Sequence, residues 1–403
     1  MGARVNMTIA ITASGESEAR PVSGARNLAL DRVRSFIIVL VLIHHSVIPY
    51  SHYGRVDLQS FLGFDAVTTF NDTFIMAAMF LLSGVFVWPS LRRKGVSDFL
   101  RGRFLRLGVP LVVGSVILMP LAYYTVELRT SGLGFGAFWW RTVTVGPWES
   151  GPIWFLAVLL AFDLLAVAIY RAAPGVVDAI GRLSIASRQR PALAFWTLLA
   201  ASLAAYVPLA VYFGIGRWFT LGPLAIQAGR VLLYLLYFFV GVGIGSAGIE
   251  RGLLARDGKL ARQWPAWLAA AIVTYVGLIA LIYYKREFLP DPENPPLRWD
   301  VAHDVFFACF CASQTINTLA LFQRFDNDGW SIFDPLRESS FGIYLIHYVP
   351  LLWLQYALFG TTLVPNPQGT AILKAVIVFV LTLAISWAAT AALRKIPGVA
   401  RVL

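Results

Sequence analysis

The sequence predicts an all-α protein, a polytopic membrane helix bundle of about ten transmembrane helices with the N and C termini cytoplasmic. Three observations carry this reading. Of 403 residues, 58% are hydrophobic and only 14% charged, too few charges to cover a water-soluble surface. The mean hydropathy is +0.68, and the apolar residues gather into runs of about 20, the length that crosses a bilayer as a helix. The Lys and Arg residues concentrate in alternate connections, as the positive-inside rule requires of a chain that threads back and forth.

Taken in order, the spans lie near 35–53, 70–91, 107–126, 153–170, 193–213, 224–248, 264–284, 301–322, 339–359 and 371–393. Residues 1–27 mix Ser, Glu, Arg, Gly and Pro without the apolar core of a signal peptide, and are expected to form a flexible cytoplasmic segment. Residues 28–395 then make a single transmembrane domain, and 396–403 a cytoplasmic tail. With the N terminus inside, 24 of the 33 Lys and Arg fall in cytoplasmic segments, among them Arg92, Arg93, Lys94, Arg101, Arg103 and Arg106 in a basic loop after the second span. Seven fall outside, and Arg230 and Lys374 are left within spans. The longest outer connections are 127–152, rich in Gly and Trp, and the Pro-stiffened 285–300.

Several other classes are excluded. Cys309 and Cys311 match neither a redox nor a zinc spacing and read as packing residues. The net charge of +11 is spread between apolar runs, so no nucleic acid partner is expected. Gly243, Gly245 and Gly248 spell GxGxxG, but they close an apolar span, which suits helix packing better than a dinucleotide site. Of His44, His45 and His52 only the last two share a helix face, and no carboxylate completes a metal set, so no metal is expected.

Ionisable groups in a span cost about 2.5–3.5 kcal/mol at its centre, so the exceptions are where function is sought. Arg34 and His45 are eleven residues apart, three turns plus about 20°, and project from one helix face about 16 Å apart. This spacing puts Arg34 at the cytoplasmic mouth and His45 near mid-membrane. His44, turned about 100° away, suits a contact with a neighbouring helix. His347 lies about 12 Å into the ninth span, at a depth that can match His45, with Tyr344 one turn earlier. Asp163 and Arg230 can pair with each other or with cavity groups, and Trp154 either lines the pocket or anchors its span at the interface.

At these residues the chain resembles a known family. The stretch LALDRVRSFIIVLVLIHHSVIPY is similar to the opening of the acyltransferase 3 family of bacterial integral-membrane acyltransferases, whose hallmark is an Arg, ten residues, then His, here Arg34 and His45. MFLLSGVFVWPSLRRKGVSDFLRGRFLRLGVPL resembles the family's apolar segment and basic loop, GPIWFLAVLL its fourth-span element, and SSFGIYLIHYVPLLWLQ its late one. The matches follow family order over about 28–360, while 170–335 holds none.

The resemblance implies an enzyme that moves an acyl group, commonly acetyl from acetyl-CoA, onto a hydroxyl of a glycan or glycolipid of the cell envelope. It implies residence in the bacterial inner membrane and no permanently bound cofactor, with acyl-CoA as co-substrate. In that reading His45 is the general base. Arg34 either binds the phosphate end of the donor or orients His45, Arg103 and Arg106 are donor-phosphate candidates or topology signals, and Trp154, Tyr344 and His347 line or support the pocket. The partners are the lipid bilayer, the acyl-CoA donor and the carbohydrate acceptor. A transporter or exporter of a small solute fits the span count equally well; the ordered motifs and the lack of visible inverted halves favour the enzyme.

Overall fold

The computed structural model describes residues 28–326 and 329–403; the N-terminal segment 1–27 lies outside them. The first half of the described chain is built from α1 (Leu28–Val47), α2 (Gly63–Gly84), α3 (Val87–Arg103), α4 (Val109–Val113), α5 (Met119–Thr130), α6 (Phe135–Thr144), α7 (Trp154–Ala172), α8 (Pro174–Ser187) and α9 (Pro191–Phe213). An antiparallel hairpin, β1 (Trp218–Leu221) with β2 (Leu224–Gln227), leads into α10 (Val231–Ala247), α11 (Lys259–Arg262), α12 (Trp264–Phe288), α13 (Leu297–Arg324), α14 (Ser340–Ile346), α15 (Tyr348–Ala357) and α16 (Pro367–Leu393).

Among the described residues nine helical stretches are long and apolar enough to cross a membrane. The remaining stretch of the ten, 339–359, is made by α14 and α15, which meet at His347. Pro350 has no N–H to offer the carbonyl of Ile346, so the ladder breaks there. On α12 the side chains of Ile272, Val273 and Val276 are exposed, a bare apolar face that is stable only where the surroundings are lipid. The chain is a multi-pass membrane protein.

Proline also shapes the long helical stretch Val87–Thr130. Two five-residue π-helical turns, Phe104–Gly108 and Gly114–Leu118, precede Pro110 and Pro120 closely. Pro120 leaves the carbonyl of Val116 without its main-chain donor, and Trp139 of α6 donates its Nε1–H to that oxygen at 2.8 Å.

Four local expectations are corrected. The basic stretch 92–106 is helical instead of a loop, broken at Gly95, whose φ of 74° turns the chain. The connection 127–152, expected as a loop, contains α6. The sixth span starts later than 224, because Leu-Ala-Ile-Gln at 224–227 is a strand; so short an apolar run suits either element. His45 stands five residues from the end of the span Leu28–Tyr50, well past its midpoint.

Small residues set the central helix crossing. A Cβ on Gly84 would collide with the carbonyl oxygen of Phe238, one on Gly241 with that of Leu81, and one on Gly245 with that of Val85. Backbone thus meets backbone between α2 and α10, the close approach that small residues permit in lipid. Gly243 packs on Ile180 of α8, and Gly248, at φ 88°, ends α10. The glycine triplet is a packing device, as its place in the sequence suggests. Beside the crossing the ring of Phe80 lies 4.7 Å from Phe155 and 5.2 Å from both Phe162 and Tyr234.

Candidate active site

α1 delivers His45 and also loosens the backbone that carries it. Pro49 has no N–H for the carbonyl of His45, four residues back, and Gln355 of α15 donates its Nε2–H to that oxygen at 2.9 Å. The bond ties the end of α1 to α15. It brings the His45 ring to 5.3 Å from Tyr348 and 5.5 Å from His347. His347 is wholly buried, and its Nδ1 lies 2.6 Å from the carbonyl oxygen of Tyr344. A carbonyl only accepts, so Nδ1 carries the proton and Nε2 presents a lone pair. That Nε2 has no hydrogen-bond partner among the described residues.

His45 forms part of the wall of a cavity of about 210 Å³, together with Tyr123, Tyr348, Gln355, Arg129 and Asp57. Asp57 is buried and both its oxygens accept from Lys374, at 2.9 and 3.0 Å. Lys374 also donates to Gln59 at 2.9 Å. The cation that the hydropathy leaves inside the last span therefore pins the connection after α1 over the cavity. A lone ammonium in a membrane helix would be costly, and the carboxylate with the Gln59 oxygen offsets that cost. Arg129 keeps its guanidinium 4.2 Å over the ring of Phe359 and donates to the carbonyl of Gln355 at 3.3 Å.

The other sequence candidates stand outside the wall of this cavity. Arg34, on the same helix face as His45, donates to Asp31 at 3.3 Å and to the carbonyl of Leu82 at 3.4 Å, with Phe86 beneath its guanidinium at 4.4 Å. It stands at the opposite end of α1. Arg103 faces Asp163 at 3.2 Å and the ring of Phe99 at 5.2 Å, and Arg106 is exposed. Trp154 stacks on Tyr234 at 5.8 Å and meets Trp218 of the hairpin at 5.7 Å, outside the cavity wall. Tyr344 donates its hydroxyl to the carbonyl of Pro152, fixing the start of α7 against α14.

Asp163 and Arg230 do not pair with each other. Arg230 is buried and grips Asp72 with two bonds of 2.6 and 3.0 Å, over the ring of Phe307 at 4.7 Å. His44 meets His45 edge-to-face at 5.3 Å. His52 pairs with Asp65 at 3.3 Å in the connection after α1. Among the described residues no three His, Cys, Asp or Glu side chains cluster as a metal set would.

Sequence reasoning missed Tyr123, Tyr348, Arg129, Asp57 and Gln355. Only Tyr348 carried a signal, as the neighbour of His347 in the YLIHY stretch. The rest reach the cavity through contacts between distant parts of the chain.

Comparison with known proteins identifies the family. A family model described as an acyltransferase domain, acyltransferase 3, matches residues 27–391. Among curated proteins, the glucans biosynthesis protein C of Escherichia coli K12 strains is 26% identical over 157 residues, 38% of this chain and 40% of the relative. The alignment thus covers less than half the length of that relative. No solved structure matches the chain. With nearly all of its length matched by the family model, and the Arg34 to His45 spacing set on one helix that ends at a cavity, the chain belongs to the acyltransferase 3 family.

Proposed function

We propose that this acyltransferase moves an acyl group from acyl-CoA, with acetyl-CoA as the expected donor, onto a hydroxyl of a cell-envelope carbohydrate or glycolipid in the inner membrane. The observation that carries the reading is His45 in the wall of a cavity whose other polar groups are hydroxyls, an amide, the Asp57 carboxylate paired with Lys374 and the Arg129 guanidinium. A carbohydrate hydroxyl attacks a thioester slowly until a base takes its proton, and a neutral imidazole has the lone pair for that task. The acceptor oxygen bonds to the carbonyl carbon while a ring nitrogen of His45 takes the hydroxyl proton. The C–S bond then breaks and the departing thiolate takes that proton back, leaving an ester and CoA.

Arg34, at the other end of α1, is the group we assign to the phosphate end of the donor, and Arg103 and Arg106 approach from the same end of the bundle. An acceptor reaching His45 from the opposite face would meet the donor within the protein. The partial likeness to a protein named for glucans biosynthesis supports a carbohydrate acceptor. The test is twofold: CoA release from acetyl-CoA by purified protein with a glucose oligosaccharide as acceptor, and mass spectrometry of envelope carbohydrate from parent and deletion strains. Transfer and a lost acyl mass are expected. Solute uptake into vesicles without any acyl donor, and no transfer, would make the protein a carrier instead.

A further inference from the structure

Acyl transfer places negative charge on the thioester carbonyl oxygen as the acceptor bonds to carbon, and donors aimed at that oxygen supply a large part of catalysis in such reactions. His45 is occupied as the base, and the lone pair that His347 presents at Nε2 donates nothing. Two hydroxyls beside His45 answer the need. Tyr123, from α5, and Tyr348, the first residue of α15, both line the cavity, and their oxygens lie 3.3 Å apart. Among the described residues neither hydroxyl has another hydrogen-bond partner. Two hydroxyls hold two protons and their mutual bond uses one, so one O–H remains for a third group in the cavity.

The position of the pair is fixed from several sides. The ring of Tyr348 stands edge-on to His45 at 5.3 Å and lies 5.6 Å from the ring of Tyr123. Gly151 closes on the same ring: a Cβ there would sit 3.1 Å from Cε1 of Tyr348 and 2.6 Å from Sδ of Met119. A Cβ there would push first on Met119 and would shift the Tyr348 ring by a few tenths of an ångström. Thr125, also in the wall, donates its hydroxyl to the carbonyl of Ala122. Tyr50, five residues beyond His45, also lines the cavity, and its buried hydroxyl has no hydrogen-bond partner among the described residues.

We infer that the Tyr123 and Tyr348 hydroxyls together form the oxyanion-stabilising group of the acyl transfer, an inference that rests on the reading of His45 as base. As the acceptor oxygen bonds to the carbonyl carbon, the C=O electron pair moves onto oxygen and the free tyrosine O–H donates to it. The pair returns when the C–S bond breaks, and the tyrosines keep their protons throughout. Because the hydroxyls share one bond, either alone still offers a proton once its neighbour is gone.

The test uses full-length protein in lipid nanodiscs with acetyl-CoA and a glucose oligosaccharide, and compares Tyr123→Phe, Tyr348→Phe, the double variant and His45→Ala. Phenylalanine keeps the ring contacts with His45 and Gly151. Each single variant should lower kcat about tenfold and the double about 10³-fold, more than the singles multiplied, with KM for both substrates within about twofold. Elution profile and thermal midpoint should match the parent; should the double variant not fold, the singles decide. Parental kcat in both singles, a double variant near parental rate, or losses confined to KM would each overturn the inference while an inactive His45→Ala upheld the base. A parent that releases no CoA would overturn the acyl-transfer reading itself, and this inference with it.

Discussion

The guanidinium of Arg103 lies 3.2 Å from a carboxylate oxygen of Asp163, which is entirely enclosed on α7. Asp163 sits nine residues beyond Trp154, about 14 Å along the helix by its rise, between the cavity end of the bundle and the Arg34 end. Arg103 therefore has a structural duty to the buried carboxylate beside the donor-binding role that the family likeness suggests.

The two duties separate by mutation. Arg103→Met should lower the thermal midpoint by several degrees, because a buried carboxylate left unpaired is strongly destabilising. Arg103→Met with Asp163→Leu should restore the midpoint. If Arg103 also holds donor phosphate, KM for acetyl-CoA stays raised about tenfold in the double variant; a parental KM there would leave Arg103 purely structural.

At the α2 and α10 crossing, Gly241→Ala and Gly245→Ala should each destabilise by about 1–3 kcal/mol or more, since the added methyl meets backbone that has no free direction to move. Gly102→Ala, where a Cβ meets nothing within 4 Å, should be neutral or stabilising by up to about 1 kcal/mol. Thermal melts of the three variants decide. Parental midpoints for both crossing variants would contradict the close packing.

Acid should weaken the Arg34 end of the bundle. Asp334 accepts from Nε and Nη2 of Arg32 at 3.0 and 2.9 Å and from the backbone of Ser331 at 2.8 Å, and the Arg32 bonds above all hold its carboxyl down to about 2. A depressed carboxylate contributes stability that is fully present above its ordinary pKa near 4 and is lost as pH falls towards 2. The thermal midpoint of the parent should drop across that window, and Asp334→Asn should start lower and flatten the drop. An unchanged slope would contradict the assignment.

The distribution of cations predicts the orientation of the bundle. Single cysteines placed in 92–106 and 250–263, in a background with Cys309 and Cys311 replaced, should be labelled from the cytoplasmic side, and those in 127–152 and 285–300 from outside. External labelling of 92–106 in intact cells would invert the topology.

The membrane spans are legible in the sequence because each is a long apolar run, and the Arg34 to His45 face is legible because both lie on one helix of fixed pitch. What escapes is of two kinds. Short elements outside the bilayer, α6, α8 and the hairpin, carry no 20-residue signal, and Leu224–Gln227 is too short for its periodicity to choose between helix and strand. The cavity is assembled by tertiary contacts with no local trace. Lys374 looks like a stray charge until Asp57 folds onto it, and Arg129 counts only as an outer cation until Gln355 and Phe359 surround it. The partners of Asp163 and Arg230 escape for the same reason: each ion pair joins residues from different helical segments, and the charges alone do not say which acid meets which base.

In the proposed mechanism His45 performs the chemistry while Arg34, at the far end of the same helix, holds the donor. The most direct measurement is the single-turnover acyl-transfer rate of His45→Ala beside its acetyl-CoA affinity by calorimetry, with Arg34→Ala in parallel. His45→Ala should lose about 10²- to 10⁴-fold in rate while binding donor within about twofold of the parent, and Arg34→Ala should chiefly weaken donor binding. Near-parental transfer by a folded His45→Ala variant would contradict the role of His45 as base.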